Sequence, residues 1–158
     1  MKILIIYYSQ GGNTKKMAEF VAEGAKAPGI DVELKSVQEV QAKELLKADG
    51  IIIGSPTYYG SMAYQLKQLL DESVEFHGSL AGKVGGAFSS SANIGGGNET
   101  TILDIINAML IHGMVIQGTH SGDHYGPVAI GAPDTRASKQ CKQLGQRVAE
   151  LVKKLSPK

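Results

Sequence analysis

The sequence contains no tryptophan, a single cysteine and only three phenylalanines. The lone thiol, Cys141, excludes an internal disulfide and any zinc or iron–sulfur centre built from cysteines, and it suits a reducing cytoplasm. Excess charge is lacking too. Lys and Arg number 16 against 15 Asp and Glu, a formal net charge of +1, so nothing electrostatic points to nucleic acid or an anionic membrane as partner. No apolar stretch approaches a membrane-spanning length. The opening MKILIIYYS looks superficially like a secretory leader. Its apolar run is too short, however, polar Tyr7, Tyr8 and Ser9 follow at once, and there is no small-residue cleavage pattern. It reads as a buried first strand.

What remains is a balanced composition, 42% hydrophobic and 20% charged over 158 residues. That predicts one domain spanning residues 1–158, large enough to bury a core without cross-links. Short apolar runs alternate with helical periodicity. Ile3 to Tyr8 and Gly50 to Gly54 read as strands buried on both faces, because apolar residues run on without alternation, and Val84 to Ser89 reads as a further strand helped by its small residues. Val32 to Val37 alternates and reads as a strand nearer the edge, and Met114 to Gln117 fits a fifth strand. Helical spacing runs from Asn13 to about Ala27, through Leu66, Leu69 and Leu70, and from Ile102 to Leu110. It returns from Asp134 to Leu155 with Leu144, Val148, Leu151 and Leu155 inward, and Ala42 to Lys47 reads as a short helix. Such β-α alternation implies a parallel sheet with helices on both sides. Residues 118–133 form the longest irregular stretch.

In an open parallel sheet the ligand sits beyond the carboxyl ends of the strands, and three loops there are unusual. Ser9-Gln10-Gly11-Gly12-Asn13-Thr14 follows the first strand. Its glycines and the helix after it present N–H groups to an anion without a basic side chain. A plain Gly-rich turn with a helix cap is the alternative. The loop lacks both the Gly-Lys-Ser/Thr of a P-loop and the spacing of a dinucleotide fold, which favours a mononucleotide phosphate. Pro56-Thr57-Tyr58-Tyr59-Gly60 follows the third strand. Its adjacent tyrosines suit the border of a flat ring, or else a solvent-facing turn. Ser91-Ala92-Asn93-Ile94-Gly95-Gly96-Gly97 follows the fourth. Three glycines there allow a close backbone approach to a ligand, or else make a flexible loop. Three odd loops at successive ends of one sheet carry more weight than any one alone.

These residues resemble a known family. YYSQGGNTKKMAEFVAEGA, GSPTYYGSMAYQLKQLLDE, FSSSANIGGGNETTI with IHGM, and HYGPVAIG are similar to segments of flavodoxin-like flavoproteins, most closely NAD(P)H:quinone oxidoreductases of the WrbA type. The resemblance implies a doubly wound, five-stranded parallel sheet of order 2-1-3-4-5 in a three-layer α/β/α sandwich. It implies FMN as cofactor and NAD(P)H as reductant. The acceptor would be a quinone or other small electron acceptor, with redox proteins as further partners, and the chain would self-associate as a dimer or tetramer. Carried over, Ser9 to Thr14 would hold the ribityl phosphate, Thr57, Tyr58 and Tyr59 would border the isoalloxazine, and Ala92 to Gly97 would meet its polar edge, with Pro56, Gly60 and Ser91 as further cofactor-binding residues of these loops. His112 would reach the flavin site. Phe76, His77, His120, His124 and Tyr125 would lie on the substrate side, Phe76 or His77 where the family often has a tryptophan. The family's segment after the second strand is nearly absent here.

No catalytic side chain is expected, since a flavin carries its own chemistry. His120 and His124 have the spacing of helical metal ligands but sit in a Gly-rich loop, so no metal site is expected. An enzyme, a one-electron carrier flavodoxin and a non-catalytic flavin- or partner-binding module all fit the loops. The near-neutral charge favours the enzyme.

Overall fold

The computed structural model describes residues 1–156. Strand β1 (Lys2–Tyr7) lies between β2 (Asp31–Ser36) and β3 (Gly50–Pro56), and β4 (Val84–Ser91) follows β3, all parallel. The order β2-β1-β3-β4-β5, with β5 at Val115–Ile116, reverses direction beside β1, which places a crevice at the carboxyl ends of β1 and β3. Helices α1 (Asn13–Ala25) and α4 (Thr135–Leu155) cover one face. Helices α2 (Tyr64–Glu72) and α3 (Asn98–Ile111) cover the other. Successive residues of a strand point to opposite faces. Ile3 and Ile5 therefore pack against α1 and α4, while Leu4 and Ile6 pack on the α2/α3 side. An unbroken apolar run is what this two-sided burial requires.

The fifth strand differs from its expected form. Its position is shared by β5 (Val115–Ile116), paired to the start of β4, and β6 (Val128–Ile130), paired to its end. Residues 117–127 leave the sheet between them. Part of the stretch expected to be irregular is thus a strand, too short and too Gly-flanked for its periodicity to register. Ala42–Lys47 is a 3-10 rather than an α-helix. Leu155, expected inward, is half exposed at the end of α4. Edge strand β2 is flanked by charge: Glu33 pairs with Lys2 and Lys35, and Lys35 also with Glu44. Charges of this kind deter edge-to-edge association.

Helices α1 and α4 pack unusually closely, through glycine on both sides. A Cβ on Gly24 would collide with the Lys142 carbonyl, and one on Gly145 with that of Val21. Cys141 is fully buried in the same layer and its thiol is pushed up to about 12 by burial, so it packs rather than reacts. Gly145→Ala is expected to cost about 2–3 kcal/mol of stability, because the obstacle is backbone and cannot swing aside. Urea unfolding measures this, and an unchanged midpoint would show that the helices part freely.

Candidate functional site

Each of the three loops ends a strand and starts a helix, or a turn leading to one. Gly12 caps α1 with φ 88°, and no side chain caps this terminus. The Gly12 amide donates to Ser9 Oγ at 3.1 Å, and the Lys16 amide closes the first helical turn on the Gly12 carbonyl. Among the described residues the amides of Asn13, Thr14 and Lys15 have no acceptor, and the first turn carries no acid. Beside both Gly11 and Gly12 the space where a side chain would begin is open. Free amides, an open cradle and a positive helix end together suit a dianionic phosphate.

The Thr14 side chain turns away from the cradle. Its hydroxyl is buried and lies 2.9 Å from Ser90 Oγ. It ties the first loop to the end of β4, so its amide rather than its hydroxyl faces the cradle. Thr57 is likewise turned inward. Its amide donates to the Ser90 carbonyl at 2.7 Å, and its Oγ1 lies 3.1 Å from Ser89 Oγ and accepts from Thr101 Oγ1 at 3.0 Å. Ser89, Ser90, Thr100 and Thr101 were not expected as site residues. In sequence they look like strand and helix filler, and only the crossing of chains shows their role.

The tyrosine pair forms a tight turn. Tyr58 and Ser61 exchange both backbone hydrogen bonds, at 2.9 and 3.1 Å, around Tyr59 (φ 50°) and Gly60 (φ 78°). Two positive φ angles define a type I′ turn, which favours Asn-Gly. Tyr59 is the one non-glycine residue with positive φ among those described, and its side chain is fully exposed. Tyr58 packs edge-on against Tyr8 at 6.3 Å and donates to Gln10 Oε1 at 3.2 Å, joining the second loop to the first. Burial pushes the Tyr58 phenol up, which keeps it a donor.

The third loop is fastened at its ends and open in its middle. Ser91 Oγ meets the Asn93 carbonyl at 2.8 Å and Asn98 Oδ1 at 3.0 Å. Thr100 Oγ1 donates to the Gly60 carbonyl at 2.6 Å, and a Cβ on Gly97 would lie 2.9 Å from Gly60 Cα. The second and third loops therefore touch backbone to backbone, and glycine at both positions allows it. Ala92, Asn93, Ile94 and Gly95 face outward. Beyond this loop a groove of about 700 Å³ runs between Ile94, Thr100, Val128, Ile130 and Arg136. Arg136 grips Asp123 at 2.7 and 2.8 Å on its wall.

His112 does not join the cluster. It caps the far end of α3, beside the start of β4, where the Gly82 amide bonds the Gly113 carbonyl. A helix of 14 residues separates it from the third loop. Ser73 Oγ donates to the Leu70 carbonyl, so His112 Nε2–H donates to Ser73 Oγ at 2.8 Å and Nδ1 is left buried without a partner. His77 lies 6.0 Å from the His112 ring and Phe76 is in the turn before it, so both stand at this far end as well. The reason is topological: α2 and α3 both run away from the strands' carboxyl ends. His120, His124 and Tyr125 lie in the arm 117–127. His124 Nδ1 bonds the Thr119 carbonyl at 2.8 Å, and His120 lines a cleft against α4.

The family model for flavodoxin matches residues 5–103. A flavodoxin from Aquifex aeolicus is 41% identical, the match covering 96% of this chain and 86% of that protein. An NAD(P)H dehydrogenase (quinone) from Archaeoglobus fulgidus is 34% identical over 98% of each chain. A crystal structure described as a flavodoxin, WrbA-like protein from Agrobacterium tumefaciens superposes with a TM-score of 0.82 at 27% identity, covering 98% of this chain and 99% of that one.

Two predictions follow from this geometry. Tyr59→Asn should raise the stability of the ligand-free chain by up to about 1 kcal/mol, since asparagine tolerates the left-handed conformation that tyrosine resists. It should also remove ring contact at the site. Urea unfolding beside a flavin titration checks both, and equal stability would mean that the turn stores no strain. The second concerns His112, whose imidazole is held below its ordinary 6.5 by burial and by His77. The unfolded chain then takes up a proton that the folded chain resists. Stability should be full above about pH 6.5 and decline as pH falls through the lower folded value. His112→Asn, which can still donate to Ser73, should flatten that decline in unfolding midpoints compared at neutral and mildly acidic pH.

Proposed function

This chain belongs to the flavodoxin family, and on that premise we propose that it is an FMN-dependent oxidoreductase moving two electrons from NAD(P)H to a quinone. The uncapped α1 terminus and its open glycine cradle fit the cofactor's phosphate. FMN, when bound, supplies the redox chemistry by accepting hydride and returning electrons to an acceptor. The chain's own part is to hold and surround it. Ser9, Gln10 and the free amides of Asn13, Thr14 and Lys15 would hold the phosphate. Tyr58 and Tyr59 border the ring, and the outward backbone of Ala92 to Gly97 bonds its polar edge. No side chain has to act as nucleophile or base.

The observation that carries the two-electron reading is the charge of the rim. Along the chain Glu99 is the only acid in or adjoining the three loops; on the groove beyond the third loop Asp123 is paired with Arg136, and Asp134 accepts the Ala137 amide as the cap of α4. A unit charge about 4 Å away acts with about 4 kcal/mol at an effective dielectric of 20. A carboxylate rim would therefore oppose the second electron strongly, and this rim does not. The competing reading, a one-electron carrier, is favoured by the similarity to the Aquifex flavodoxin.

The test has two stages. FMN should bind at least tenfold more tightly than riboflavin, the difference being the phosphate's charge-assisted hydrogen bonds; equal affinities would remove the cradle from the account. The FMN-loaded protein should then oxidise NADH or NADPH in the presence of a quinone and titrate as a single two-electron wave. Two well-separated one-electron potentials with no nicotinamide oxidation would make it a carrier.

A further inference from the structure

The arm 117–127 exists because the fifth strand is split. Where it folds back it forms a cleft of about 370 Å³ with α4. Five consecutive residues, Gln117 to Ser121, make one wall. The α4 stripe of Gln143, Gln146, Arg147 and Glu150 makes the other. The chain has two arginines. Arg136 is held by Asp123, but Arg147 has no carboxylate within 4 Å among the described residues. Its one side-chain hydrogen bond among the described residues is a long 3.4 Å bond from Nε to the Gln117 carbonyl. Glu150 shares the cleft, yet its carboxylate accepts from Gln146 Nε2 at 3.0 Å instead.

A half-buried guanidinium without a counter-charge is costly unless something else meets it. Burial depresses the Arg147 pKa, the direction expected of a cation kept from water without compensation. The outer guanidinium nitrogens have no partner among the described residues, and they present the planar fork that pairs bidentately with tetrahedral oxyanions. His120 and Ser121 on the facing wall supply further polar groups. The volume exceeds what a bare ion needs and lies in the range of small-ligand sites.

We propose that this cleft, with Arg147 as its anchor and His120 opposite, binds the phosphate monoester of a small molecule. The site is separate from the phosphate cradle of the first loop. Arg147 lies twelve residues along α4 from Thr135, about 18 Å down the helix from the rim. The inference does not rest on the redox reading. Two sources share this chemistry, the 2′-phosphate of NADPH and a free phosphate, whether inorganic phosphate or the monoester of another small molecule.

The experiment is an amide-resolved NMR titration of FMN-saturated protein with inorganic phosphate, compared with chloride at equal ionic strength. Saturable shifts are expected at Gly118 to Ser121. Arg147→Gln should weaken binding roughly tenfold or more while keeping α4 intact, and Arg147→Lys should restore part of it. NADPH and NADH are then titrated separately. Shifts in the cleft with NADPH alone, lost in Arg147→Gln, identify the 2′-phosphate as source. Equal behaviour of the two dinucleotides, with phosphate still binding, identifies a free phosphate group as the source. Identical shifts with chloride and phosphate, or an affinity unmoved by Arg147→Gln, overturn the proposal. Were FMN not to bind, the same titration of the FMN-free chain separates the amides of Gly118 to Ser121 from those of Gly11 to Thr14, so the two ideas fail independently.

Discussion

Ser90 stands at the end of β4 with its hydroxyl 2.9 Å from Thr14 Oγ1 and its carbonyl accepting the Thr57 amide at 2.7 Å. Both contacts lie beneath the ligand-facing surface, where an unpaired hydroxyl would cost roughly 1–3 kcal/mol. Satisfying them draws the first loop and the second onto the same strand end. Ser89 and Thr101, through Thr57, bring in the start of α3. The three loops are therefore one body, with a polar seam below and free backbone donors above. Preorganisation of this kind lets a site made mostly of glycine hold a geometry.

The same seam explains why the tyrosine turn persists in a conformation its sequence disfavours. Tyr59 sits at φ 50°, and the turn is clamped by its own two backbone bonds and by Thr100 on the Gly60 carbonyl. Strain of this kind survives only where the surroundings over-determine it. It keeps an aromatic ring exposed at the rim, where a purely structural turn would place asparagine. Charge is paired at several places: Glu33 and Glu44 with lysines at β2, Asp71 with Lys67 on α2, and Asp123 with Arg136 near the third loop.

Much of this was legible in the residues themselves. Isoleucine runs on β1 and β3 announced burial on both faces, and α-β alternation required a parallel sheet with the unusual loops at its carboxyl ends. Glycines at 11, 12 and 95 marked where the backbone lies open with no neighbour beside it. These features are local, and periodicity or a dihedral requirement reports them directly. Family resemblance added the strand order and the identity of the cofactor.

Other features depended on contacts between distant segments. Ser89 and Ser90 look like any small strand residues until Thr14 and Thr57 arrive beside them. His112 sits next to glycine in the IHGM segment whose resemblance pointed to the flavin. The direction of α3 instead sends it to the opposite end of the sheet, onto Ser73. The division of the fifth strand escaped periodicity because β5 has two residues and β6 three, each stabilised by β4 rather than by its own pattern. Arg147 is an ordinary polar-face residue of α4 until the arm closes over it. The sequence by itself determined which segments are buried and where backbone must turn, because burial and dihedral preference act within a few residues. Only the tertiary structure decided which hydroxyls pair, which histidine faces what and which cation lacks a partner, because those depend on helix direction and on chains dozens of residues apart meeting at one point.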